Sequence, residues 1–374
     1  MRLLIKPGKW LLVLGAVFAI LFIRSKAVQS EQDIRAAASM TEKMRTVCIG
    51  RFLIDVPANA NFNLKAANLD GFDVAWQEET AEQFGHFVNE RESKLGSGLN
   101  MLGQNNIESN ETIQESNILG KVFVHGRYRG YEIRGEQRVY FETVTIEAHI
   151  NKNGVTYSFN SEGDGPERVV VVRSLMRQLV NTRGTSLPNV AGFCLDGAII
   201  ADPADSKRHE SAMISGTLPG YPDIVLALSM NTGRHRGPGL IERDMAATDM
   251  VTRARSRVLR SQARTIAGLS GEEVGVRTTE LNFSTNFSFA WETNGSEDDF
   301  QRPRLSLEFD TGVNPRSGGE PVQSSLDEEA VLRLWDKISS SIRLRRAEVP
   351  PRTPMKVQLD TPRRLVSASE QGEH

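Results

Sequence analysis

Histidine, lysine and cysteine are all scarce in this sequence, and each scarcity narrows what the chain can do. Its six histidines are scattered as His86, His125, His149, His209, His235 and His374. None stands four residues from another or in a His-Glu-x-x-His pattern, the spacing that sets two imidazoles on one helix face, so no zinc site is visible. A Gly-x-Ser-x-Gly elbow is also missing. Its nearest approach, Gly268-Leu-Ser-Gly271, has the glycines misplaced and Glu272 where the last should stand, so Ser270 reads as a turn residue. Gly96-Ser-Gly98 lacks the third glycine and the lysine of a phosphate cradle and reads as a loop. A formal net charge of −2 gives no basic field for displacing counterions from nucleic acid, so that partner is not expected. Lysine numbers 11 against 34 arginines. Guanidinium suits planar, bidentate contacts at protein interfaces, although a codon preference would leave the same imbalance.

What is present begins with an address. Arg2, Lys6 and Lys9 precede an uncharged apolar run of 14 residues, Trp10 to Ile23. A basic start and a short apolar stretch is the plan of an export signal. The run falls short of the roughly 20 residues of a spanning helix, yet Leu3–Ile5 and the reach of Lys9 and Arg24 could extend it. Residues 1–30 are therefore read as a cleaved signal or as an inner-membrane anchor through residues 10–23. Arg24-Ser-Lys26 lacks small-x-small character and tilts the choice toward the anchor, with the rest in the periplasm. Ser30 to Met40 reads as a helical or flexible spacer. Only Cys48 and Cys194 are present, 146 residues apart. An even count in an exported chain allows one disulfide tying the two halves, and two separately buried thiols is the other reading.

The remainder has two parts on one plan. Val144, Ile146, Ala148 and Ile150 alternate with Thr145, Glu147 and His149, which places His149 on a wet face. Asn151-Lys-Asn-Gly154 supplies a turn, and Val155, Tyr157 and Phe159 return as a second strand. Pro166 and then Val172, Leu175, Met176 and Leu179 predict a helix. Later, Phe287, Phe289 and Trp291 pair with Leu305, Leu307 and Phe309 across a turn. Ser325-Leu-Asp-Glu328 reads as a capping box for a helix bearing Val331, Trp335, Ile338 and Ile342. Upstream of each hairpin lies a glycine-spaced segment, Gly126–Glu132 and Gly268–Glu272. The fold class is α+β: two similar domains, 44–185 and 190–345, each an antiparallel sheet with a packed terminal helix, in an apparent internal duplication. Residues 346–374, with Pro350, Pro351, Pro354 and Pro362 among charges, read as a disordered tail.

Candidate contacts are few. Gly233-Arg-His-Arg-Gly-Pro-Gly239 follows a predicted strand as a basic loop, and Arg234, His235 and Arg236 are its candidate partner-binding residues, against the reading of a solvated connector. His209-Glu210 is read as solvated surface at a strand edge. No catalytic residue, metal or cofactor is assigned.

Two segments say more than their physics. Thr46-Val-Cys-Ile-Gly-Arg-Phe-Leu-Ile-Asp-Val-Pro57 opens the first half and Gly192-Phe-Cys-Leu-Asp-Gly-Ala-Ile-Ile-Ala-Asp-Pro203 the second, each a short strand stopped by proline. They resemble the openings of the two domains of the type VI lipase immunity proteins, the Tli family, of the kind paired with class-four lipase effectors. The resemblance covers about residues 44–345. It implies a protein without chemistry of its own, which clamps an injected phospholipase in the periplasm between its two halves and blocks access to substrate. The other readings are a periplasmic ligand-binding or envelope-assembly factor using an inter-domain cleft, and a hydrolase whose residues meet only in the fold.

Overall fold

The computed structural model describes residues 7–345 apart from 116–117, 183–189, 203–207, 234–236, 248, 298 and 300. Helix α1 (Pro7–Glu42) leads into the first half: β1 (Met44–Ile49), β2 (Phe52–Pro57), β3 (Asn61–Leu69), β4 (Phe72–Glu78), α2 (Ala81–Gly96), β5 (Ile107–Glu115), β6 (Ile118–Arg134), β7 (Gln137–Lys152), β8 (Val155–Asp164), α3 (Val169–Gln178) and β9 (Leu179–Asn181). The second half comprises β10 (Gly192–Leu195), β11 (Ala198–Ala201), β12 (Glu210–Leu218), β13 (Tyr221–Asn231), α4 (Leu240–Ala247), α5 (Met250–Arg255), β14 (Ser256–Ile266), β15 (Leu269–Thr279), β16 (Thr285–Glu292), β17 (Arg304–Asp310), α6 (Glu328–Ser339) and β18 (Arg343–Leu344).

The α+β class holds, but the halves do not keep separate sheets. They share one antiparallel sheet of twelve strands in the order β14-β15-β16-β17-β13-β12-β3-β4-β8-β7-β6-β5. Read outward from the centre, one half runs β3-β4-β8-β7-β6-β5 and the other β12-β13-β17-β16-β15-β14. Each strand of the second is the ninth after its counterpart in the first, so the duplication is written in the strand order. The joint is the β3–β12 pair, from Glu210 opposite Leu69 to Thr217 opposite Asn61.

Two small sheets complete the symmetry by exchange. The hairpin β1–β2 is extended by β18, from the end of the second half, and β10–β11 by β9, from the end of the first. Cys48 lies opposite Leu53 in one hairpin and Cys194 opposite Ile199 in the other, the same register in both copies. The two cysteines form a disulfide, with Cα atoms 5.9 Å apart. Beside it Gly50 and Cys194 exchange backbone hydrogen bonds of 3.3 and 2.8 Å. Gly50 has φ +51, and a Cβ there would lie 1.9 Å from Met230 Sδ and 3.2 Å from the Phe193 ring of the second hairpin, so glycine gives this close approach its room.

One hydrophobic core runs through both halves. It joins Phe52, Phe72, Tyr157 and Phe159 to Phe193, Phe289, Trp291, Phe309 and Trp335. The predicted hairpins are present: Ala148 lies opposite Phe159 and Phe289 opposite Phe309. Helix α6 buries Val331, Leu334, Trp335 and Ile338, and Trp335 stacks on Phe289 with ring centroids 5.5 Å apart. Its cap is Asp327, which accepts from the Ala330 N–H. Ser325, expected to cap it, instead donates to Asp223. Among the described residues the joint does not present the deep apolar cleft that a lipid-binding factor would need. Its hollow, about 470 Å³, is lined by polar groups including Asp70, Asp164, Arg168 and His209.

The spacer before the first strand is helical and continuous with the apolar run, making α1 36 residues long. Its C-terminal part packs on the body: Ala37 is buried and Asp33 accepts from the Asp327 N–H at 3.1 Å. Among the described residues no helix is long and apolar enough to cross a membrane, so the fold does not support the expected spanning role of residues 10–23. The tail after residue 345 lies outside the described residues.

Candidate partner-binding surfaces

Polar groups buried in the body are occupied in holding it together. Arg51, in the β1–β2 turn, sends Nε to Glu210 at 2.8 Å and a terminal nitrogen to Asp202 at 2.9 Å, all three buried. Glu210 is thus not solvated surface at an edge, since β12 is a central strand. Burial raises its carboxyl above the usual range despite Arg51. His149 is also not on a wet face. Helix α2 covers it, and its ring meets Phe87 edge-on at 5.0 Å while Nδ1 lies 2.8 Å from Ser158 Oγ. Next to it Glu147 accepts from Arg91 at 2.7 Å and lies 3.0 Å from His125 Nε2. Burial would raise the Glu147 carboxyl, but hydrogen bonds from Arg91, His125 and His149 outweigh it and hold the group well below the usual range. His86 is exposed on α2, and no group of three metal-ligating side chains comes together among the described residues. Arg234, His235 and Arg236 lie outside the described residues, between β13 and α4.

The surface that stands out is a projecting arm. Strand β5 covers β6 only as far as His125, and β8 covers β7 only from Val144. Between those points Tyr128–Thr143 forms a two-stranded ribbon whose outer edges have no partner strand among the described residues, turning at Gly135-Glu136. A bulge between His125 and Tyr128, where Gly126 has φ +67, re-aims the ribbon at its root. There Arg127 bridges Glu108 and Glu142 at 2.6–2.9 Å and stiffens the base.

Alternation places Tyr131, Ile133 and Tyr140 on one face of the arm and Tyr128 and Phe141 on the other. Their exposures run from 41% for Tyr128 to 70% for Ile133. Tyr131 and Tyr140 sit directly opposite each other with rings 5.9 Å apart, and the Arg138 guanidinium lies 4.7 Å over Tyr131. Gly130 leaves the space across which Phe141 and Tyr128 approach, since a Cβ would meet the Phe141 ring at 2.6 Å. Tyrosine and arginine on a rigid, unpaired ribbon have the composition and geometry of an interface anchor. Sequence reading took Gly126–Glu132 only as a mark of duplication. The available signal was aromatic residues on both alternating faces, leaving no solvent face.

Two family models match the chain in the order of its halves: the Tle cognate immunity protein 4 N-terminal domain over residues 45–169 and the C-terminal domain over 186–347. The chain belongs to the Tle cognate immunity protein 4 family. It is a type VI immunity protein of the Tli4 kind, and its partner is a protein. Among solved structures, "The crystal structure of Tle4-Tli4 complex" matches with TM-score 0.68 and 22% identity, over 81% of this chain and 98% of that one. The apo immunity protein TplEi of the type VI system of Pseudomonas aeruginosa matches with TM-score 0.66 and 24% identity, over 82% and 99%. A further TplEi structure, in complex with a peptide called "L", gives TM-score 0.64 and 23% identity, over 82% and 99%. At these identities the likeness to the solved structures is one of fold. No curated protein matches the chain. This Tli4-family chain thus carries the two opening motifs at equivalent places in a duplicated fold, joined by their cysteines.

Proposed function

We propose that this Tli4-family chain binds a type VI secreted phospholipase and inhibits it in the periplasm, protecting the producing cell without chemistry of its own. The observation that carries the reading is the aromatic arm, Tyr128–Thr143, on a chain whose family partners are effectors. Arm and effector would bury the exposed tyrosines, Ile133 and Phe141, while the charged flanks steer encounter. The basic start and apolar run to Ile23 support export, and α1 would hold the body near the membrane lipid that a phospholipase attacks.

The test is co-purification of the chain with the phospholipase encoded beside it, followed by lipid hydrolysis at rising ratios of the two. The expected result is a stable complex and full loss of hydrolysis near one equivalent. Hydrolysis that persists in the presence of excess immunity protein would rule the reading out.

A further inference from the structure

The second half carries its own exposed apolar tip, and that tip lies beside α1. Between β15 and β16 the chain turns through Glu280–Ser284, where Leu281 is 79% and Phe283 87% exposed. Single exposed apolar residues are ordinary, but this turn is built to hold the pair outward. Phe283 sits at φ +66, a left-handed conformation disfavoured for a bulky side chain. Its N–H donates to the Glu280 carbonyl at 3.0 Å, and the Glu280 N–H donates to the Ser284 carbonyl at 2.8 Å. Asn282 Oδ1 accepts from the Ser284 N–H and hydroxyl at 3.0 and 2.7 Å, while its Nδ2 donates to the Pro321 carbonyl at 2.7 Å. A strained, braced backbone thus presents a Leu–Phe pair to solvent.

Phe283 and α1 line the same groove, of about 630 Å³, to which the helix contributes Gln29, Ser30 and Asp33. The helix leaves the body at this level: Asp33 and Ala37 are buried, whereas Val28 is 56% exposed. From Gln29 to Arg24 it rises about 8 Å, and the apolar run begins just beyond. That rise is close to the thickness of one headgroup layer, on the order of 5–8 Å. Arg24 and Lys26 fall within the same stretch of sequence and suit lipid phosphates.

We propose that the Glu280–Ser284 turn is a membrane contact, with Leu281 and Phe283 entering the headgroup zone of an anionic bilayer beside α1. This rests on the proposed reading that α1 holds the body at the membrane, its Trp10–Ile23 run entering the bilayer without crossing it. A helix alone would let the body swing, whereas a second contact fixes its orientation and hence that of the arm.

Tryptophan fluorescence in vesicles of anionic lipid with brominated acyl chains separates the two claims. In the full native chain, Trp10 reports entry of the apolar run. In a Trp10→Phe background, Phe283→Trp reports the turn, read against the same background without it, which retains Trp76, Trp291 and Trp335. The expected result is loss of most of the added emission, with a blue shift. Quenching of Trp10 alone would overturn the proposal while leaving the anchor standing, and quenching of neither would overturn both. A blue shift that appears only when the phospholipase is added would make the turn a protein contact and also refute the proposal. Absence of free thiols in each variant verifies that the fold has closed.

Discussion

The sharpest prediction concerns the arm. Tyr131, Ile133 and Tyr140 share one face of the ribbon, so replacing all three by alanine strips that face while leaving its root, Arg127 with Glu108 and Glu142, in place. Ile133 is 70% exposed, and covering what remains exposed is worth about 1–2 kcal/mol at the usual value for an aliphatic side chain. Each tyrosine, if a central anchor, contributes about 2 kcal/mol. The total of about 5 kcal/mol, reduced for non-additivity, corresponds to affinity weakened by roughly three orders of magnitude. None of the three side chains belongs to the core, so global stability should change by only about 0.5 kcal/mol. Calorimetric titration against the phospholipase, with thermal unfolding measured in parallel, reads both quantities. Unaltered affinity in a variant that melts like the parent would refute the arm as the anchor.

The remaining predictions concern the body. Removing the disulfide by Cys48→Ala and Cys194→Ala frees a loop of 146 residues, which the chain-entropy model values at about 5 kcal/mol. The melting point should fall by about 8 °C, and an unchanged melting point would show that the shared sheet already supplies the constraint. Gly50→Ala drives a Cβ into Met230 at a left-handed position and should cost about 3 kcal/mol in denaturant unfolding. A Met230→Ala companion change should restore part of that loss. Glu147 is held ionised in the fold below its unfolded value of about 4.3, so its contribution is full above that pH and fades as pH falls toward the folded value. Glu147→Gln should therefore lower stability by about 2 kcal/mol at pH 7 and flatten the acid limb of the stability curve. An unchanged acid limb would show that other carboxylates carry it.

What the sequence disclosed was local. Alternation at Val144–Phe159 and Phe287–Phe309 specified hairpins because each pair is close in the chain, and the spacing of Val331, Trp335 and Ile338 specified the buried face of α6. The two cysteines were legible as a pair, though their bonding was open until the hairpins around them proved equivalent. The errors are cases in which a distant segment decides the environment. His149 looks wet until α2, some 60 residues earlier, covers it, and Glu210 looks exposed until Arg51 arrives from 159 residues away. The fusion of two sheets at β3–β12 has no local signature, because an edge strand and a central strand in an antiparallel sheet alternate alike.

The exchanged strands also impose an order of events on the chain as it is made. β2 finds its second partner strand at Arg343 and Leu344, about 290 residues downstream. The first hairpin to emerge thus keeps an open edge until almost the last described residue has arrived, and no premature stop in the second half can close it. A nascent or truncated chain therefore lacks a finished first half, and the cell obtains either a whole immunity protein or an incomplete one with sticky edges, suited to removal by proteases.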